Sequence, residues 1–367
     1  MIVTGIESFK CRVPVSEKAA AHGVGPDIWV TRVTTDKGIT GYEFYPTLGR
    51  NLEKARRIVV GQDPHNLECF LQQGLLTTPG VETALWDIIG KAAGQPVYKL
   101  LGAARDRIPC YLTCVWPGPA DQSGVTYEQQ AADIKYYQEH GFKAVKIRAF
   151  RRPIQADGDA VATIRDRVGG RDEMQIMIDR TGPYSGTIWT MDEAIIMARR
   201  FESLDVTWLE EPLNRGDVFE HAKLSQSVDI PITGGEGDRG LAIFARYLQN
   251  GTYDILQPDT MNCGGLLTTK KIGAMAESFG VDCVPHGTHG LLLASRLQCE
   301  GSLPNCWILE VALTNPPLLP WEQWEHCLAL VNQKELFEVE DGELIIPNRP
   351  GLGLDVNEAA IERYRVP

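Results

Sequence analysis

The sequence predicts an α/β fold, a parallel βα barrel with a smaller α+β domain beside it, and three observations carry that prediction. Apolar runs alternate with helix-like stretches from about residue 108 onward, the cadence that gives parallel strands joined by crossover helices. The runs AVKIR, QIMID, VTWLEE, PITGGE, DILQPD, VDCVPH and CWILE close on Lys146 and Arg148, Asp179, Glu210, Glu236, Asp259, His286 and Glu310. Strands generally stop where polarity begins, but seven ionisable ends in succession point to a site built at one barrel mouth. Finally, 367 residues with 43% hydrophobic content can fill a barrel of about 250 residues and a second, smaller unit.

In chain order, residues 1–14 and 28–44 alternate apolar and polar positions as antiparallel strands do, with Asp36-Lys37-Gly38 as a hairpin turn. The intervening AAAHGVGP, residues 19–26, reads as a mobile loop. From 51 to about 102 the pattern is helical: Val81, Ala84, Leu85, Ile88 and Ile89 share one face, and Gly94 and Pro96 mark its close. YLTCVW then opens the barrel, with helices expected near 127–139, 158–168 and 191–203. After residue 330 the cadence breaks into LFEVEDGELIIPNRPGLGLDV, which has hairpin character, and the tail is expected to return to the first domain. The expected division is 1–115 for the N-terminal domain, 116–330 for the barrel and 331–367 for the tail.

The net charge of -12 disfavours nucleic acid and anionic membrane as partners, and it requires a local cation wherever an acidic substrate binds. No apolar run is long enough to cross a bilayer, and Met1-Ile2-Val3-Thr4 does not begin a secretory leader. Nine cysteines without a CxxC pair suit buried thiols in a reducing compartment, so a soluble, cytoplasmic protein is expected.

Asp179, Glu210 and Glu236 close successive strands, so their carboxylates should converge at the mouth. Three hard oxygen donors suit Mg²⁺ better than zinc, which prefers His or Cys. Glu211, by contrast, reads as a helix cap or surface carboxylate. Asp259 and His286 end the next two strands, and a carboxylate beside an imidazole fixes its tautomer and raises its pKa, which makes a general base; His289 in HGTHG competes for that role. Lys146 and Arg148 stand two apart on a strand and so face the same side. Lys146 could hydrogen-bond a substrate carboxylate or developing enolate, with Glu310 in support as a proton donor if its neighbours raise its pKa.

This ordered set resembles the mandelate racemase branch of the enolase superfamily: a KxK-like strand, then Asp, WLEEP, GGE, QPD, VPH and a late Glu. The resemblance extends to VETALWDIIGKAAGQPVYKLLGA, to CGG at 263–265 and to PGLGLDV ending at Val356. It implies a modified (β/α)₇β barrel of the TIM type, an α+β capping domain completed by the C-terminal tail, and Mg²⁺ on Asp179, Glu210 and Glu236. It also implies a first step in which a base takes the proton α to a carboxylate and the metal stabilises the enediolate. A homo-oligomer is expected from the same resemblance, and substrate specificity is expected in the cap loops, with His22 and Tyr45 as contacts.

The sequence departs from that pattern in places that bear on chemistry. Arg148 stands where the family's second lysine base would be, and a guanidinium with a pKa above about 12 does not accept protons at neutral pH. Arg180 follows Asp179 where a small residue is usual and is expected to add a cation and bulk to the mouth; the segment to residue 190 is long, and GYEFYP lacks the GE that commonly follows there. With one conventional base, β-elimination is favoured over two-base racemisation. The expected activity is dehydration of a polyhydroxy (sugar) acid, with His286 and Asp259 as base and then acid and Lys146, Arg148 and Glu310 at the carboxylate. A cycloisomerase or epimerase on a sugar acid or its lactone is the alternative with the same site. A barrel aldolase using Lys146 as a Schiff-base nucleophile, and a binding protein that has lost its base, complete the readings.

Overall fold

The computed structural model describes residues 1–115, 125–181, 188–314 and 316–366. In the N-terminal part, the period-two burial of strands β1 (Val3–Arg12) and β2 (Asp27–Thr35) turns one face inward, and β3 (Thr40–Glu43) follows through the predicted turn. All three pair antiparallel. The helix Pro79–Ala93 starts on a proline and stops at Gly94 in the left-handed region, and it lays Val81, Ala84, Leu85 and Ile88 on the sheet's Val3, Ile6 and Val33. Residues 19–26 are not wholly a loop: Ser16 caps a short helix, Glu17–Ala21, by accepting from Ala19 N.

Eight parallel strands form the barrel: β4 (Arg107–Val115), β5 (Ala144–Arg148), β6 (Gln175–Asp179), β7 (Leu209–Glu210), β8 (Ile232–Gly234), β9 (Ile255–Leu256), β10 (Asp282–Cys283) and β11 (Leu309–Thr314). Each pairs with the next from β4 to β10, and β11 pairs with β4. A bridge between Thr288 and Val311 ties the segment after β10 to β11 and closes the ring. Helices 127–139, 155–168, 191–202, 218–225, 241–250, 266–278 and 293–300 alternate with these strands, which is the (β/α)₇β order. Strand residues that face outward, among them Val145, Ile147, Ile176, Ile178, Leu209 and Leu256, join Ile164, Phe201, Leu248 and Ile272 of the helices in one core.

The tail attaches both to the barrel and to the N-terminal part. β12 (Val339–Glu340) and β13 (Glu343–Ile345) form the expected hairpin, but it pairs with the start of β4, so it belongs to the foot of the barrel. Only after the helix Glu358–Tyr364 does β14 (Arg365–Val366) join β1 in the N-terminal sheet.

The N-terminal helix Pro79–Ala93 holds the two parts together through two buried carboxylates. Glu82 accepts from Leu266 N at 2.8 Å and Leu267 N at 3.0 Å, so one domain's side chain caps the first turn of a helix in the other. Gly265 is required there: its φ is +105° and an added Cβ would lie 2.2 Å from Glu82 Oε2. Asp87 accepts from Leu352 N at 2.9 Å and Tyr42 N at 3.0 Å, which brings the tail's PGLGLDV onto the same helix. Replacing Glu82 by Ala strands those amides, and we expect a loss of about 1–3 kcal/mol, read as a lower urea midpoint with an unchanged denaturant slope. An unaltered midpoint would show that the cap carries no weight.

Candidate active site

The barrel interior is layered, and the layering follows from strand period two. Tyr111, Ala144, Met177, Trp208, Ile255, Val284 and Ile308 form an apolar cluster inside the ring. Two residues farther along each strand or its extension come Thr113, Lys146, Asp179, Glu210, Gln257, His286 and Glu310. A polar ring therefore sits on a hydrophobic floor, and all of it but His286 is at most 3% exposed. Such burial leaves each charge dependent on its neighbours.

The cations and anions of this ring pair across the barrel. Lys146 Nζ lies 2.6 Å from Glu210 Oε2 and 3.0 Å from Glu310 Oε1. Burial works to lower the Lys146 pKa, but Glu210, Glu310 and Asp179 outweigh it and hold the ammonium well above its ordinary value. Arg148 Nη1 stands 3.3 Å from Asp179 Oδ2, and Asp179 Oδ1 also accepts from Thr181 N and Oγ1 at 2.8 and 2.6 Å. Glu310 accepts from Thr113 Oγ1 and, at 2.8 Å, from Gly287 N. An added Cβ at Gly287 would sit 2.3 Å from Glu310 Cβ, so only glycine lets this segment pass the carboxylate.

Two expectations about Glu310 change. It does not close its strand: the chain continues to Thr314 because Val311 to Thr314 go on pairing with β4. Nor is its pKa raised. Burial pushes it up, but Lys146 and His286 hold it far below the usual carboxylate range, so in this state it accepts hydrogen bonds and does not act as a proton donor.

His286 is fixed from both ring nitrogens. Nδ1 lies 2.9 Å from Asp259 Oδ2 and Nε2 lies 3.2 Å from Glu236 Oε2, while the side chain keeps 31% of its surface exposed. Burial lowers its pKa, and Glu310, Asp259 and Glu236 together raise it to about 10, so the imidazolium form is favoured against these carboxylates. His289, the competing histidine, lines a cavity of about 290 Å³ with Trp29 and His326, and burial lowers its pKa.

Residues 127–360 match the enolase C-terminal domain-like family, and residues 12–102 match the mandelate racemase / muconate lactonizing enzyme N-terminal domain. This chain belongs to that family. It is 31% identical over 287 residues to an arabinonate dehydratase of Saccharolobus solfataricus, covering 78% of this chain and 71% of that one. It is 30% identical to a D-galactarolactone cycloisomerase of Agrobacterium fabrum, over 84% of this chain and 82% of the relative. A crystal structure of D-glucarate dehydratase from Agrobacterium tumefaciens complexed with magnesium superposes with a TM-score of 0.81 at 25% identity, covering all of both chains.

A divalent cation at this mouth would need carboxylate oxygens open to ligate it. Among the described residues no three His, Cys, Asp or Glu side chains stand gathered as a metal cluster. Each of Asp179, Glu210 and Glu236 instead contacts a protein cation, the last through Arg215, whose Nη2 lies 2.5 Å from Oε1. The chemistry nonetheless fits. Glu210 Oε1 is buried with no hydrogen-bond partner, and burial, reinforced by Asp179, Glu310 and Glu236, pushes the Glu210 pKa up. A donorless carboxylate oxygen among like charges is suited to ligating a hard cation.

Other expected residues fall differently. Glu211 is no surface carboxylate: it is buried, pairs with Arg215 at 2.5 Å and accepts from Gly235 N at 3.0 Å. Arg180 is 1% exposed, with its guanidinium 4.9 Å from the Trp189 ring and 5.5 Å from Phe150, so it packs where an added cation at the mouth was expected. Residues 182–187 of the long segment after it lie outside the described residues. Tyr45 lines a cavity of about 130 Å³ with Arg239, and Asp259 contributes, after burial, to raising its pKa, which places it near the site. His22 caps the end of the helix Glu17–Ala21 and is not among the residues lining the larger cavity.

Sequence reasoning missed Thr113, Gln257, Arg215 and Arg296. Gln257 Nε2 donates to Glu210 Oε2 at 3.2 Å, and Arg296 Nη2 to Asp259 Oδ1 at 3.4 Å. Extending the period-two count by one step finds the first two. Arg215 stands four residues after Glu211, and Arg296 is a lone cation in the apolar stretch GLLLASRLQ, a signal in itself.

Proposed function

We propose that this member of the family is a Mg²⁺-dependent dehydratase acting on a polyhydroxy (sugar) acid. The observation that carries the reading is the asymmetry of the mouth. One side holds His286 with its orienting Asp259, and the other holds Arg148, whose pKa Asp179 raises further and which is no conventional proton acceptor. The dehydratases among the chain's relatives support it.

Lys146 and Arg148 present positive charge to the substrate carboxylate, Lys146 from the polar ring and Arg148 from the rim of the same strand. Asp179, Glu210 and Glu236 would hold Mg²⁺, which would supply positive charge to stabilise the developing enediolate and would offset the carboxylates that otherwise favour imidazolium. Neutral His286, with Nδ1–H kept on Asp259, receives the α-proton at Nε2. The electron pair of the broken C–H bond enters the enediolate. As that pair returns, the β C–O bond breaks, His286 passes its proton to the departing hydroxyl, and water leaves. The enol product takes a proton from solvent at C3 and releases its C2 O–H proton to solvent, becoming a 2-keto-3-deoxy acid.

The aldolase reading fares poorly, since a Schiff-base lysine must be neutral and Lys146 is held charged between two carboxylates. The cycloisomerase reading shares every residue up to the enediolate. Incubation with Mg²⁺ and a panel of aldonic, uronic and aldaric acids and lactones in D₂O, followed by NMR, separates them. We expect a 2-keto-3-deoxy acid. Deuterium at C2 or a rearranged lactone without loss of water would transfer the assignment to an isomerase.

A further inference from the structure

Arg296 is 1% exposed on the helix Leu293–Glu300, and its environment is unlike that of a packing residue. Nη2 reaches Asp259 Oδ1 at 3.4 Å, while Nε and Nη1 are buried without a hydrogen-bond partner. Asp259 Oδ1 already accepts from Met261 N at 2.6 Å and Asn262 N at 2.9 Å, so the guanidinium is not there to satisfy an orphan oxygen. Its contribution is charge, set beside the one carboxylate that holds His286 Nδ1.

We propose that Arg296 is a positioning residue for His286: its guanidinium, 3.4 Å from Asp259 Oδ1, keeps the Asp259 carboxylate charged and aimed at Nδ1. The proposal rests on the reading above only in taking His286 as the group that moves protons. An apolar residue at 296 would leave the Asp259 carboxylate buried without that guanidinium beside it.

The test is proton NMR of the ¹⁵N-histidine-labelled full chain. The Nδ1 proton shared with Asp259 is assigned by its disappearance in His286→Asn. We expect it to persist in Arg296→Lys and to vanish or shift in Arg296→Met. A folded Arg296→Met protein that keeps the resonance in place overturns the proposal, because a merely structural arginine would lower the melting temperature and leave that proton alone. Should Arg296→Met not fold, Arg296→Gln decides: a shifted resonance supports the positioning role and an unmoved one ends it. With a substrate in hand, Arg296→Met should lose about tenfold or more in kcat with KM nearly unchanged, and Arg296→Lys should recover most of it. If no acid is turned over by any variant, the dehydratase reading fails while the resonance still decides the role of Arg296.

Discussion

His286→Asn is expected to lower kcat by about 10³- to 10⁴-fold, at the upper end of what general acid–base catalysis supplies, because one imidazole takes the α-proton and then delivers it to the leaving hydroxyl. Asparagine can still donate to Asp259, now held 2.9 Å from Nδ1, so the fold and the binding of Mg²⁺ should survive and the loss should fall on turnover. The measurement is kcat at saturating acid and Mg²⁺, read as 2-keto-3-deoxy acid released. A variant retaining turnover within tenfold of the parent would mean that another group removes the proton.

Lys146→Met is expected to be the most destabilising single change at the site, by about 3–5 kcal/mol without added metal, since it leaves Glu210 and Glu310 buried with their shared cation removed. The deficit should depend on pH, with a sign that follows from Glu310. Its folded-state pKa is depressed, so it contributes stability above its unfolded value, and that contribution disappears with Lys146. The gap between parent and variant should therefore widen between about pH 5 and pH 8, because at the lower pH the stranded carboxylates can take up protons instead. Urea unfolding at both pH values checks it. Equal midpoints for parent and variant would show that the ammonium contributes nothing net to the fold.

The legibility of this site differed from residue to residue. Asp179, Glu210 and His286 were readable because each stands two residues beyond an inward-facing Met177, Trp208 or Val284, and strand period is local. Glu310 was readable as a site residue but not as the second residue of a six-residue strand, since its continuation depends on pairing with β4, nearly two hundred residues earlier. The hairpin at 339–345 was readable as a hairpin, while its place on the foot of β4 was not. Glu211 was misread as a surface carboxylate because its partner, Arg215, is brought to it, and to Glu236, by the turn of the chain after β7.

By itself, then, the sequence determined which residues would face one another in kind: alternation placed a polar ring above an apolar floor, and the order of charges along the chain carried the family resemblance. Only the tertiary structure decided which charge meets which. Lys146 with Glu210 and Glu310, Arg148 with Asp179, and Arg296 with Asp259 are pairs across strands and helices. The reason is that a side chain's direction is set by its own backbone, whereas the field that holds it charged or neutral comes from groups that only closure of the ring brings within a few ångströms.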